Sequence, residues 1–409
     1  MTNPTGVCFL SYKRERASEA GLLVEAFYDH GIQTWQDISD LPIAVTEAEL
    51  ERVIAEDTTS SAVMLVTPEV AKSDVIRKVE APGIMTRVRA GDGFFAVPVA
   101  AGGLGYADVG STLGPMIGLT EMSGFNILKA ATDPLDTTFA ALVAQRALRE
   151  RLAAVEKTLA PGEPITMRVS TRVDFPKGPG FALSADLRHR FDGRHAKAGA
   201  WNNHLLPAIA TIAKTLRQCG GGHPLELSGF PSLPTAVALG SALPSIGPIE
   251  VRWLQEQTKF GSPAETWSLK SADAPCGFKA DTHPYTPSAS DLALLVSVTN
   301  DVTHDFRLSS SGLPLRAVVH VAPPDPRPAR IQLNGGEAKN LACFAIDSLR
   351  SAAAKFGARG TIHLFLAVPA GLAVMIGQQL NTFGRVQTYE HDPAASVPYT
   401  PAALLSPSS

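Results

Sequence analysis

Two stretches of this chain carry the same residues at the same spacing. Leu225 to Trp253 reads LELSGFPSLPTAVALGSALPSIGPIEVRW. Laid without a gap on 362–390, it puts Ala236 on Ala373, Val237 on Val374, Gly240 on Gly377, Leu243 on Leu380 and Gly247 on Gly384, a constant difference of 137 (377 minus 240). The same difference holds upstream, where Asn203 falls on Asn340, Ala208 on Ala345, Ile209 on Ile346 and Gly220 on Gly357. Such self-similarity marks a supersecondary unit copied once.

The later copy shows what the unit is. Leu341, Phe344, Ala345, Ser348, Leu349, Ala352 and Phe356 share one helical face. Thr361 to Val368 is an apolar run of the kind found in strands buried on both faces. Pro369, Ala370 and Gly371 turn the chain into a helix over Leu372–Phe383, Gly384 closes it, and Val386–Tyr389 reads as the next strand. Two copies of helix-strand-helix-strand predict a pseudo-twofold pair of doubly wound units. Ligands of such sheets bind beyond the carboxyl ends of the strands. The turns Phe230 to Leu233 and Val368 to Gly371 are therefore expected round one shared cleft.

At 409 residues with 45% hydrophobic content the chain fills two or three domain cores. A net charge of -3 argues against a surface that coats DNA, so any nucleotide site must be local. No apolar run is long enough to cross a bilayer, and MTNPTGVCFLSY lacks a basic segment followed by a long apolar one, which reads as cytoplasmic. Cys8, Cys219, Cys276 and Cys343 are far apart, as reduced, packed thiols would be, and no histidine pair has metal-ligand spacing on a helix. No metal and no resident cofactor are expected.

In the first 135 residues strands alternate with helices. Val7–Tyr12, Ile32–Trp35, Ser61–Val66 and Phe94–Val99 read as strands. Helices are predicted over Ala17–His30, over Val45–Ala55, and from Pro68 to a stop at Pro82 and Gly83. This alternation means a parallel doubly wound sheet with its functional loops past the strand C-termini. There is no Walker loop, no GxGxxG turn after the first strand and no GxSxG turn, which disfavours kinases, dehydrogenases and covalent hydrolases.

Asp136 caps a connector helix over Thr137–Leu159, and Ala160, Pro161 and Gly162 mark the boundary. Ile165–Phe175 alternates like a strand. Residues 258–289 read as an irregular insertion between the copies, whose halves span about 160–257 and 290–392. Leu292–Thr299 opens the second copy, and the Pro, Ser and Ala beyond Asp392 read as a frayed tail.

The first region, with FLSYKRE near its start, TWQD leading to a loop carrying DLP, and TPEVAKSDVIRKVE after the third strand, resembles the TIR domain over residues 5–130. The resemblance implies a flavodoxin-like fold over 1–159, connector helix included, and NAD+ as a substrate cleaved at the nicotinamide-ribose bond. Its pattern of serine or aspartate, aromatic, then glutamate falls on Ser73, Ile76 and Glu80, with Ile76 departing from the aromatic. Loss of nicotinamide develops an oxocarbenium-like ribose, which a carboxylate stabilises. Glu80 is the candidate for that role. Lys13 or Arg14 would hold the diphosphate, and Ser73 and Asp37 complete the expected substrate contacts.

FDGR before a Trp-led helix, LALLVSVTNDVTHDF, and the stretch from IHLFLAVPAGLAVMIGQQLN to YEH resemble the SAVED domain over residues 160–392, with the domain expected to span 160–409. That resemblance implies two fused CARF-like, Rossmann-type units sensing a cyclic oligonucleotide in antiphage signalling (CBASS), a cyclic trinucleotide such as cyclic triadenylate made by a partner nucleotidyltransferase. Backbone N–H groups at Ser232, Leu233, Ala370 and Gly371, in the turn that Pro369 opens, are expected to meet phosphates. Phe230 and Trp253 are candidates for stacking bases. Tyr389 aligns with Arg252, Arg194 and Lys259 add charge, and Thr299 and Asn300 end the strand that opens copy two. Together the two resemblances imply an NAD+ glycohydrolase switched on when ligand drives self-association into an oligomer or filament. The alternative is a TIR scaffold without enzymatic activity that recruits another effector.

Overall fold

The computed structural model describes residues 1–36, 46–117, 126–256, 264–275, 277–324 and 332–406. The chain forms two compact units. One comprises Met1–Arg168, Phe175–Asp186 and Lys214–Gly221, and the other Val169–Asp174, Leu187–Ala213 and Gly222–Ser409.

The first unit begins β1 (Val7–Ser11), α1 (Ala17–Asp29), β2 (Thr34–Trp35), α2 (Thr46–Ala55), β3 (Thr59–Val66) and α3 (Ala81–Ala90). It continues β4 (Phe95–Ala100), α4 (Tyr106–Ile117), β5 (Leu128–Lys129) and α5 (Thr137–Glu156). All strand pairings are parallel, in the order β2-β1-β3-β4-β5. This is the flavodoxin-like order, whose crevice opens between the first and third strands. Every residue of β3 is buried, because helices cover both faces. Phe9, Ala62 and Met64 pack with Leu50, Ile54, Ile84 and Val109, while alternation sends Leu10, Val63 and Leu65 to the other face.

The helix expected from Pro68 to Pro82 is two pieces. Pro68–Lys72 is a short 3-10 helix that breaks at extended Ser73, and a π-turn over Ile76–Glu80 then runs directly into α3. Pro82 does not end the helix: it is the second residue of α3, directly after the π-turn.

In the remaining chain come β6 (Ile165–Ser170), β7 (Leu183–Asp186), the ribbon strands β8 (Phe191–Asp192) and β9 (His195–Ala196), and α6 (Leu206–Cys219). The first copy of the repeat continues with β10 (Leu225–Phe230), α7 (Leu233–Ala242) and β11 (Val251–Gln255). The insertion between copies is less irregular than expected. Within it lie β12 (Glu265–Ser268), antiparallel to β11, and β13 (Lys279–Pro284). Then come β14 (Asp291–Ser297), α8 (Thr303–Ser309), β15 (Leu315–Ala322) and α9 (Gly335–Phe356). The chain closes with β16 (Ile362–Ala367), α10 (Ala370–Gly377), β17 (Val386–His391) and β18 (Tyr399–Leu405).

The last sheet has the order β13-β15-β14-β16-β17-β18, with a parallel centre and antiparallel edges. The segment Tyr399–Leu405, expected as part of a frayed tail, is therefore an ordered strand. Tyr399, Ala403 and Leu405 alternate inward and are buried, so β18 covers the β17 edge.

The duplication is visible element by element. Shifting Leu225–Phe230 by 137 gives Ile362–Ala367, and Leu233 falls on Ala370, the first residue of α10. Pairing of Leu225 with Val251 and of Ile362 with Val386 reduces the offset to 135 (386 minus 251) at the final strand. Tyr389 thus corresponds to Leu254, not Arg252.

Helices α7 and α10 cross at the pseudo-axis. A Cβ on Gly240 would lie 2.1 Å from the Val374 carbonyl oxygen, and one on Gly377 would lie 2.3 Å from that of Val237. The contact is reciprocal, as a twofold demands. Backbone atoms cannot swing aside, so Gly240→Ala is expected to cost about 1–3 kcal/mol by overpacking, read as a lowered thermal unfolding midpoint.

Candidate functional site

In the second unit a cavity of about 530 Å³ opens beyond the carboxyl ends of β14, β16 and β17. Its walls come from both copies. The first supplies the turn Pro231–Pro234, and the second supplies Thr299–Val302, Leu366–Val368 and Tyr389–His391. Strand order reverses between β14 and β16, since β14 leads to β15 on one side while β15 crosses back to β16 on the other. Two loops diverge at such a point and leave a crevice.

Arg172 and Arg194 line this cleft. Partial desolvation and then repulsion from Arg194 push the Arg172 pKa down, against the opposite pull of Glu390 and Asp392. An anion between them would relieve that repulsion. Two of the three carboxylates on the same walls are tied up. Asp305 Oδ2 lies 2.7 Å from His391 Nε2, and Asp301 Oδ1 accepts from the Thr303 N–H at 2.9 Å. Burial alone would raise the Asp301 pKa, but the Thr303 N–H and hydroxyl outweigh it and hold the carboxyl low.

Glu390 is 4% exposed and accepts from the Ala196 N–H at 2.9 Å, with His195 Nδ1 3.6 Å from the same oxygen. Its Oε1 and the Trp201 indole nitrogen lack hydrogen bonds among the described residues. Burial pushes the Glu390 carboxyl up, against the pull of the Ala196 N–H, His195 and Arg172. The folded chain therefore holds this proton more tightly than the unfolded one. The penalty is absent below the ordinary carboxylate range and grows as pH rises through the raised pKa. Glu390→Gln is expected to raise the thermal midpoint at pH 8 and leave it nearly unchanged at pH 4, which a melting series checks.

Several residues anticipated from the sequence meet here: Arg194, Ser232, Leu233, Thr299, Asn300 and Tyr389 all line the cleft. The Ser232 side chain is the N-cap of α7, and the Tyr389 hydroxyl lies 2.6 Å from His363 Nδ1. Phe230 is half exposed beside Pro231, as a stacking platform would be. Lys259 lies outside the described residues. Trp253 is a correction: it is core, 4% exposed, and packs with Trp267 on Gly371, where a Cβ would be 2.5 Å from the Trp253 ring. Gly371 consequently faces indole rings, and Pro369, Ala370 and Gly371 do not line the cleft. Pro234, which corresponds to Gly371 (371 minus 137), lines the open side, so the twin of the cleft is filled with tryptophan.

Sequence reasoning missed Arg172, Asp301, Asp305, Glu390, His391 and Tyr399. The 137 spacing would put Arg172 on Ser309, and only the sheet order β12-β11-β10-β6-β7 makes the loop after β6 the counterpart of Thr299–Val302 after β14.

The first unit has its own candidate centre. Glu80 is 7% exposed, and its Oε2 accepts a 2.5 Å hydrogen bond from Ser11 Oγ at the carboxyl end of β1. This is the crevice between β1 and β3 that the strand order specifies. Ile76 is buried in the core beneath, and Ser73 Oγ accepts from the Ile76 N–H at 3.5 Å. Lys13 pairs with Glu15 at 3.8 Å and Arg14 is exposed, whereas Arg16 is held by Glu19, Glu69 and Asp133. Asp37 lies outside the described residues.

Comparison with known proteins bears on the second unit. The family SAVED, described as the SMODS-associated and fused to various effectors sensor domain, matches residues 209–405. An Acinetobacter baumannii Cap4 SAVED/CARF-domain containing receptor with the cyclic trinucleotide 3'3'3'-cAAA is similar at TM-score 0.50 and 12% identity, over 95% of this chain and 98% of that one. A Cap4 receptor from Moraxella osloensis is similar at TM-score 0.44 and 12% identity, over the same shares of each chain. Comparison with curated proteins gives no match. No helix among the described residues is long and apolar enough to cross a membrane. Residues 209–405 of this chain thus form a SAVED domain, built on parallel α/β sheets of the Rossmann type.

Proposed function

We propose that the cleft receives a cyclic oligonucleotide, a cyclic trinucleotide such as cyclic triadenylate, and that its arrival switches on cleavage of NAD+ by a TIR domain in the first unit. The observation that carries the ligand assignment is the presence of both Arg172 and Arg194 in one cavity beyond the strand ends, where Asp301 and Asp305 are already engaged. A polyanion meets two cations there, opposed chiefly by Glu390, whose burial favours the neutral acid. The SAVED match and the Cap4 receptor's cyclic trinucleotide agree with this reading.

For the first unit the support is the position of Glu80 at the crevice of a flavodoxin-like sheet, together with the TIR-like motifs. Its carboxylate would stabilise the positive charge that develops on the ribose as nicotinamide leaves. Lys13 and Arg14, which follow the same strand end, would hold the diphosphate. Activation proceeds by self-association of ligand-bound chains, in an antiphage response supplied with ligand by a nucleotidyltransferase.

The test mixes purified chain with NAD+ and a panel of cyclic di-, tri- and tetranucleotides, and measures nicotinamide and particle size together. Release that requires a cyclic trinucleotide and coincides with growth in size is expected. Release without nucleotide at high dilution ends the gating idea, and assembly without release leaves the scaffold reading instead.

A further inference from the structure

We infer that Ser11 is the positioning residue for Glu80, fixing the carboxylate where the NAD+-cleaving reading of that site requires it. The inference rests on that reading. Ser11 is the last residue of β1 and is 3% exposed, and its hydroxyl reaches Glu80 at 2.5 Å across 69 positions of sequence. A serine buried at a strand end must find a partner for its O–H, and this one donates it to a carboxylate.

Backbone geometry points the same way. Glu80 ends the π-turn Ile76–Glu80, in which the Ala81 N–H reaches back to the Ile76 carbonyl. A π-turn inserts one residue beyond the α-helical repeat, which rotates the following side chain by roughly 100° about the helix axis. Glu80 is the last residue of that turn, and its carboxylate reaches the end of β1. Such turns are poor in hydrogen-bond geometry and recur at functional sites. Strand end and turn thus converge on one rotamer of one carboxylate, which is preorganisation: the glutamate enters the reaction without searching its side-chain torsions.

The experiment uses the full chain with saturating cyclic trinucleotide and steady-state NAD+ cleavage. Ser11→Ala is expected to lower kcat by about 10- to 100-fold with KM within about twofold, the pattern of an interaction used in the transition state. Adding Ser11→Ala to Glu80→Gln should lower kcat no further, since the serine acts only through the carboxylate. Circular dichroism and melting of Ser11→Ala report the folded fraction. The inference is overturned if kcat falls only in proportion to that fraction, or if the two substitutions multiply independently. A wild-type chain that releases no nicotinamide with any ligand instead ends the underlying reading.

Discussion

Removing both cleft arginines, as Arg172→Ala with Arg194→Ala, is expected to weaken cyclic trinucleotide binding by at least about 100-fold, because each charge-assisted contact to phosphate contributes roughly 1.5–3 kcal/mol. Titration calorimetry at one fixed ionic strength measures it. The single variants should each lose part of the affinity. Binding should also lose salt dependence in the double variant, since fewer counterions are displaced. Unchanged affinity in the double variant would place the phosphates elsewhere and remove the cleft from the account.

Glu80→Gln is expected to reduce ligand-stimulated nicotinamide release by about 10²–10³-fold, the usual loss when one electrostatic stabiliser of a developing charge is removed. Glutamine keeps the shape and still offers Ser11 an oxygen to donate to, so fold and ligand affinity should be retained. Chromatographic quantification of nicotinamide, beside calorimetry on the same preparation, separates the two effects. A scaffold would show no release in either form and equal assembly in both.

The parallel strands were legible in the sequence because burial on both faces writes continuous apolar runs such as Leu292–Val298 and Ile362–Ala367. The repeat was legible because Gly240 and Gly377 admit no other residue at the helix crossing. What escaped was written in weaker terms. Residues 399–405 mix proline and threonine with leucine, so the edge strand β18 shows its alternation only once β17 is beside it. The break at Ser73 and the π-turn after it follow from packing Ile76 into the core, which no local propensity announces. In the cleft, single glycines and turns marked the place, but its charges come from four separate segments. Arg172, Asp305 and His391 carry no spacing that joins them, and Trp253 looked like a platform because burial of an indole is invisible until its neighbour Gly371 is known.

The two glycines at the helix crossing have a consequence for how this molecule can diverge. Neither half can enlarge its residue there without displacing the other's main chain, so the seam must stay nearly symmetric however far the outer loops drift. Asymmetry is therefore confined to the periphery, where one half has kept a hollow and the other has sealed its counterpart with indoles. A gene that began with two equivalent receptacles can in this way specialise one of them while its hinge of origin stays locked.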